Sequence, residues 1–426
     1  MSRKIHVRIG VDAIPVGELI VDSEPGGRET SAFTYEQSWN ERRDAFALAP
    51  SLPLGPTTIY TNKAGEGSSL PGPIADGTPD SWGRAIIKMA LGGRVLTDLD
   101  FLLESDDFLR SGALRYFDGP SKDAKALAAP KEREKQVSIP RLLDLEKIVV
   151  EARAFETDPI GYREQRARMI GGGLLEHAIG TLGGARPKVN AKDAKGAIWI
   201  VKLAKVDDQY AIARAEVMAL RLAHRVGILA SESDVLSSSQ KFPVAIVKRF
   251  DRNEQGGRIP FISAQTFMGL PGAEPGNYVD VAMRMRQFSR DPQSDMNDLY
   301  KRMAFNVLVQ NTDDHLRNLG FLYKGSGKWG LSPAYDVNPV PDEGATLKTA
   351  ISEVHGNELD IDAVLDAALY FDVTEDEAKT ILSTMALTIR DEWKSIGARV
   401  EMTTSDFKAI APAMENAQIK KAIAFG

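Results

Sequence analysis

The stretch Asn311–Leu322, NTDDHLRNLGFL, sets Asp313, Asp314, His315, Arg317 and Asn318 within six positions and then runs into the apolar Leu319–Gly320–Phe321–Leu322. The apolar AFNVLVQ (Ala304–Gln310) precedes it. So many polar side chains between two apolar segments make either a capped polar turn or a chemical site. Asp313 and Asn318 are separated by four residues, the D-x-x-x-x-N spacing of phosphoryl-transfer loops. Such a loop needs a carboxylate beside the attacking hydroxyl and a neutral oxygen ligand for Mg²⁺, which Asn supplies. A second metal carboxylate is expected from the other side. Asp336 in PAYDV fits, because it follows two apolar segments flanking Gly325–Ser326–Gly327, a pattern that predicts a β-hairpin returning the chain to its start. Mg²⁺ accepts one or two protein oxygens plus phosphate and water. By this reading Asp314 and Arg317 are surface charges and His315 is structural support. A metallohydrolase on Asp313, Asp314 and His315 is the weaker alternative, since His6, His177, His224 and His355 are scattered.

Upstream, six glycines fall between Gly171 and Gly184, followed by Arg186 and Lys188. Glycine lets backbone N–H groups approach a phosphate, although such stretches are usually ordinary turns. GAIWIVKLAK then alternates as a strand that puts Ile198, Ile200 and Lys202 on one face and Trp199, Val201 and Leu203 on the other. A buried ammonium needs a partner. Glu216 lies on the same stripe of the following helix as Ile212 and Ala223, and is the expected ion-pair partner of Lys202. A plain buried salt bridge, or a lysine reaching to solvent, accounts for this pair equally well when it is taken alone. KFPVAIVKRFDR reads as another strand. GSGK at Gly325–Lys328 lacks the Walker spacing and reads as a hairpin turn.

The chain has 426 residues, net charge −6 and no cysteine. That length suggests two to three domains or lobes. The missing cysteines exclude disulfides, thiol nucleophiles and thiolate metal sites. The mild acidity argues against strong non-specific nucleic-acid binding. The basic start MSRKIHVRIG is not followed by a sustained apolar core, so no signal peptide is expected. No apolar run reaches about 18 residues, so no membrane span is expected and the cytoplasm is the expected location. Residues 1 to 22 alternate as two strands joined by a turn. Asp80 or Ser81 caps a predicted helix carrying Ile86, Ile87, Met89 and Ala90. Residues 119–140 read as a surface connector, IPRLLDLEKIVVEARAFE as a helix, and the chain beyond residue 276 as mostly helical.

Glycine loop, strand lysine, helix glutamate, strand, D-x4-N loop, hairpin and aspartate, in that order, make up the chain order of a protein-kinase-like fold. The motifs resemble the HipA family of bacterial serine/threonine kinases, the toxins of HipBA-type toxin–antitoxin modules. GGARPKV resembles the family's phosphate loop, IVKL its ATP-contacting strand and VKRFDR its adenine hinge. NTDDHLRNLGF resembles the catalytic loop and LSPAYDV the metal-binding Asp motif. VGEL, FTYEQSW, SLPL and PDSWGR resemble its N-terminal subdomain. The resemblance runs from near residue 5 to about residue 400.

The resemblance implies an α+β, two-lobed fold with a β-containing N-terminal subdomain over 1–120, a connector and kinase N-lobe over 121–250 and a helical C-lobe over 251–426. It implies ATP and Mg²⁺ as cofactors, with Asp313 as catalytic base and Asn318 and Asp336 as metal ligands. Lys202 would contact the α/β-phosphates. Leu182, Gly183, Gly184, Ala185, Arg186, Pro187 and Lys188 would cover the phosphates by backbone. Lys248, Arg249 and Phe250 would present hinge backbone to adenine. His315, Leu316, Arg317, Asn318, Tyr335 and Asp336 would line the nucleotide site. The family's autophosphorylated serine corresponds here to Thr181. A proline at 187 departs from a plain phosphate loop, because it removes one N–H. The implied partners are a HipB-like helix-turn-helix antitoxin, DNA only through that antitoxin, and a protein substrate of the aminoacyl-tRNA synthetase type. A small-molecule phosphotransferase of the aminoglycoside or choline kinase type shares the D-x4-N loop. A catalytically weak antitoxin-binding scaffold is the non-enzyme alternative.

Overall fold

The computed structural model describes residues 2–24, 29–62, 67–118, 139–166, 175, 186–239, 241–272, 274–342 and 344–426. These form two compact units. One is made of Met1–Val201, Arg249–Glu274 and Gly325–Gly327, the other of Lys202–Lys248, Pro275–Lys324 and Lys328–Gly426.

The first unit opens with the two strands that the alternation predicts, β1 (Ser2–Ile9) and β2 (Ile14–Ser23). They belong to a five-stranded sheet with β3 (Glu29–Tyr35), β4 (Ile59–Asn62) and β5 (Leu114–Asp118), in the order β4-β3-β2-β1-β5. Its pairings are antiparallel: Ile5 opposes Leu19, Leu19 opposes Phe33, and Val7 opposes Tyr116. Gly17 is obligatory, because a Cβ there would lie 2.6 Å from the Phe33 ring. The helix Ser81–Ala90 starts where predicted. Asp80 is its N-cap and accepts the Gly83 amide at 2.7 Å, satisfying one of the free N–H groups of the first turn. The helix Leu145–Thr157 buries Leu145, Ile148, Val149, Ala152 and Phe155, the one-face spacing of an amphipathic helix. The predicted connector lies, over residues 119–138, outside the described residues. Strands β6 (Lys188–Lys192) and β7 (Ile198–Lys202) follow. Their turn is tied by Asp193, whose Oδ1 accepts the Lys195 and Ala197 amides, each at 2.9 Å. The unit boundary falls within β7, between Val201 and Lys202.

The second unit holds the helix Ile212–Arg225, the antiparallel pair β8 (Ser233–Leu236) and β9 (Val244–Lys248), and a largely helical remainder. The helices Tyr278–Phe288, Pro292–Leu308 and Glu375–Arg399 carry the core, with Met285, Leu299, Tyr300, Met303, Phe305 and Trp393 buried. The helix Pro292–Leu308 buries Leu299, Met303 and Leu308, with Tyr300, Ala304 and Val307 filling the adjoining stripe. Arg302 sits among them because Asp298 at 2.6 Å and the Ser332 carbonyl at 2.7 Å receive its guanidinium. The predicted hairpin is present as strands Gly320–Gly325 and Lys328–Leu331. Among the described residues, no helix is long and apolar enough to cross a membrane. The architecture is thus mixed α and β, with antiparallel sheets and many helices.

Candidate active site

Lys202 ends β7, and its side chain is buried. Its ammonium donates to Glu216 Oε1, on the helix Ile212–Arg225, and to Asp336 Oδ1 at 2.8 Å. Glu216 is 2% exposed, so its carboxylate has little water to stabilise it and depends on the ammonium. Burial alone would depress the lysine pKa. The charges of Asp336 and Glu216 outweigh burial and hold it above the usual lysine value. The cation is therefore permanent, shared by two carboxylates from distant parts of the sequence.

The loop after the helix Pro292–Leu308 begins with Gln310 in the left-handed region at φ +52°. The Asn311 amide returns to the Asn306 carbonyl at 2.8 Å. Asp313 is exposed, and among the described residues no hydrogen bond or ion pair engages its carboxylate. Asn318 donates Nδ2 to the Asp313 carbonyl at 2.8 Å and its own amide to the His315 carbonyl at 2.7 Å. The loop is thereby closed between the two residues that its spacing singled out. With its nitrogen engaged, the Asn318 amide offers its oxygen to a cation. Leu316 is buried, Arg317 is exposed, and His315 is half-buried with an Nδ1 that finds no partner among the described residues.

The hairpin brings the chain back. The Ser332 amide donates to the Gly320 carbonyl at 2.9 Å, and Tyr335 donates its hydroxyl to the Arg317 carbonyl at 2.8 Å. The neighbour of Asp336 is thus fastened to the neighbour of Asn318. Asp336 takes a left-handed φ of +55° and accepts Asn338 Nδ2 at 3.0 Å. Asn318 and Asp336 offer a neutral amide oxygen and a carboxylate. This hard-oxygen pair fits Mg²⁺, which completes its shell with phosphate and water.

Asp314 departs from expectation. It is not a surface charge but a buried carboxylate, 5% exposed. Tyr278 donates its hydroxyl to Oδ2 at 2.7 Å, and the amides of Lys348 and Thr349 donate to Oδ1 at 2.7 and 3.2 Å. Burial pushes its pKa up to about 6 against these donors. Asp313 and Asp314 are neighbours on opposite sides of the loop backbone, so one meets solvent and the other the interior. Tyr278, Asn306, Asn311 and Asn338 were not singled out by any motif. The one signal available was the placement of Asn306 inside the apolar run AFNVLVQ.

The other expected nucleotide contacts are positioned as follows. Lys188 is buried, with its ammonium 3.8 Å from Asp80 Oδ2. Pro187 is buried and Arg186 half-buried. Thr181 and the stretch Leu182–Ala185 lie outside the described residues. The Lys248 amide donates to the Glu232 carbonyl at 2.8 Å and the Arg249 amide to the Ile198 carbonyl at 3.0 Å. The Lys248 side chain pairs with Glu232 at 2.7 Å. The Arg249 guanidinium is buried within the first unit on Asp251, the Asn190 side chain and the Leu109 carbonyl. Phe250 stacks at a tilt 6.0 Å from Phe261.

Residues 180–393 match the model of the HipA-like C-terminal domain, and residues 7–108 that of the HipA N-terminal domain. Toxin YjjJ of Escherichia coli strain K12 is 27% identical over 184 residues, which are 40% of this chain and 41% of that protein. A Sinorhizobium fredii protein named "Putative kinase Y4dM" is 28% identical over 181 residues, 39% of this chain and 40% of that one. The chain therefore spans about two fifths of the length of these curated relatives. A chain from the Shewanella oneidensis MR-1 complex of toxin–antitoxin system HipA, HipB and operator DNA shares the fold. Its TM-score is 0.63 at 15% identity, covering 99% of this chain and 96% of that one. With both of the family's domain models matched in order along its length, the chain belongs to the HipA family.

Proposed function

We propose that this chain is an ATP- and Mg²⁺-dependent serine/threonine protein kinase, the toxin of a toxin–antitoxin pair. The observation that carries the reading is the buried ammonium of Lys202 held between Glu216 and Asp336. A structural salt bridge needs one carboxylate. Here the second comes from the segment tied back to the D-x4-N loop through Tyr335 and Arg317.

In this reading Lys202, fixed in its charged form, orients the α/β-phosphates. Asn318 and Asp336 hold Mg²⁺, which when bound offsets the phosphate charge. The exposed, unengaged carboxylate of Asp313 receives the proton of the substrate hydroxyl as its oxygen bonds to the γ-phosphorus and the bond to the β-phosphate oxygen breaks. Leu182 to Lys188 cover the phosphates. The hinge Lys248–Phe250 meets the base, with the amides of Lys248 and Arg249 already engaged elsewhere. Residues 1–120 serve as the N-terminal subdomain, 121–250 as connector and N-lobe, and 251–426 as C-lobe. The proposed partners are a HipB-like helix-turn-helix antitoxin and a cytoplasmic protein substrate of the aminoacyl-tRNA synthetase type, whose phosphorylation inhibits translation. Thr181 is the proposed site of inactivating autophosphorylation.

The test is incubation of purified protein with labelled ATP and Mg²⁺, alone and with lysate, beside Asp313→Asn. Label on protein, lost in Asp313→Asn, is the expected result, and mass spectrometry should place the autophosphate at Thr181. Label confined to small molecules would reassign the chain to the aminoglycoside or choline kinase type. Absence of any ATP-dependent label would remove the enzyme reading.

A further inference from the structure

A line of hydrogen bonds, side chain to side chain except at the Asn338 backbone amide, runs from Asp314 to Asp336 in the second unit. Tyr278 donates to Asp314 at 2.7 Å, Asn306 Nδ2 donates to the Tyr278 oxygen at 2.9 Å, and Asn311 Nδ2 donates to Asn306 Oδ1 at 3.0 Å. The Asn338 amide donates to Asn311 Oδ1 at 3.0 Å, and Asn338 Nδ2 donates to Asp336 Oδ1 at 3.0 Å. Tyr278, Asn306, Asn311 and Asp314 are each at most 9% exposed. Four groups of this kind are costly to bury unless each is satisfied. The four donors from the Tyr278 hydroxyl to the Asn338 backbone amide point toward Asp314 and are polarised by its carboxylate, while Asn338 Nδ2 points the other way, to Asp336, so a carboxylate terminates the line at each end.

The line joins the two strained points of the site. Gln310 and Asp336 both adopt left-handed backbone at φ +52° and +55°. Non-glycine residues keep such conformations only where their surroundings over-determine them. Asn311, next to Gln310, and Asn338, two residues past Asp336, are bonded to each other. The other end of the line is fixed independently. The Asp314 carbonyl accepts the Thr349 hydroxyl at 2.7 Å, and the Tyr278 amide donates to the Ala350 carbonyl at 2.9 Å.

We propose that Asp314 and Tyr278 are positioning residues: through Asn306, Asn311 and Asn338 they set where the Asp336 carboxylate stands, and thereby tune metal affinity from the interior. This rests on the reading of Asp336 as a metal ligand. Partners that orient a ligating carboxylate typically change metal affinity by about 10- to 100-fold when removed.

Mn²⁺ binding in the presence of ADP, followed by electron paramagnetic resonance, tests this without reference to turnover. Tyr278→Phe keeps the ring and removes the one hydroxyl that links Asp314 to Asn306. Mn²⁺ affinity should fall by about 10-fold or more, while affinity for metal-free ADP is unchanged. Adding Asp314→Asn to Tyr278→Phe should weaken Mn²⁺ no further, because the line is already cut. Where the double variant does not fold, Tyr278→Phe alone decides. A Tyr278→Phe protein that binds Mn²⁺ within about twofold of wild type, well short of the usual outer-partner effect, overturns the inference and leaves the kinase reading standing. Additive losses in the double variant overturn it as well. A wild-type protein that binds no Mn²⁺ with ADP overturns the metal-site reading and the inference with it.

Discussion

Lys202 is the residue on which the site's electrostatics turn. It is the shared cation of two carboxylates, with side-chain exposures of 10% for the lysine, 3% for Glu216 and 17% for Asp336. Removing one partner of a buried ion pair strands the other, at a cost of about 3–5 kcal/mol. Lys202→Met should destabilise the protein by about that amount, read as a lowered urea midpoint, and should abolish labelling. Glu216→Gln should cost less stability, because Asp336 still receives the ammonium. This pair was legible from sequence: an alternating strand sets Lys202 on one face, and a helical stripe carries Glu216 inward. Asp314 was not legible. Asp313 and Asp314 are identical in type and adjacent, and only the path of the loop backbone decides which one is buried against Tyr278.

At the scale of elements, the hairpin does the positioning. Its turn takes three consecutive left-handed residues, Gly325, Ser326 and Gly327, at φ +86°, +55° and +70°. Glycine adopts such angles without the steric cost that other residues meet. The return is fastened by the Tyr335 hydroxyl on the Arg317 carbonyl. Tyr335→Phe keeps the ring and deletes that bond. Its effect on stability should be small, about 0.5–1.5 kcal/mol. The rate of protein labelling should fall by a larger factor, since Asp336 and Asn318 are no longer held together. Initial rates beside a melting curve separate the two effects. The hairpin was readable because two apolar runs flank a glycine-rich turn, and the helix Ser81–Ala90 because Asp80 precedes an apolar-periodic run. The edge position of β5 beside β1 was not readable. A period-two pattern marks a strand but does not name its partner, and these strands lie far apart in sequence.

For the whole molecule, the acidic balance, net −6, bears on the proposed role of DNA. Phosphate neutralisation by Lys and Arg supplies most non-specific affinity for a duplex. The chain alone should leave a duplex unshifted in an electrophoretic mobility assay at about 150 mM salt, the regime where non-specific binding is weak. A shift should arise only with a helix-turn-helix partner present. A duplex retarded by the chain alone would place a DNA-binding face on this chain. By itself the sequence determined the family, the order of the chemical motifs and the identities of Lys202, Glu216, Asp313, Asn318 and Asp336 as candidates. These rest on local spacing and periodicity, which a linear chain carries in full. The tertiary structure alone decided that Lys202 serves Glu216 and Asp336 together, that Asp314 is interior, and that Tyr278, Asn306, Asn311 and Asn338 connect it to Asp336. Those contacts join residues from separate helices and loops, and burial and hydrogen-bond geometry exist only once these are packed.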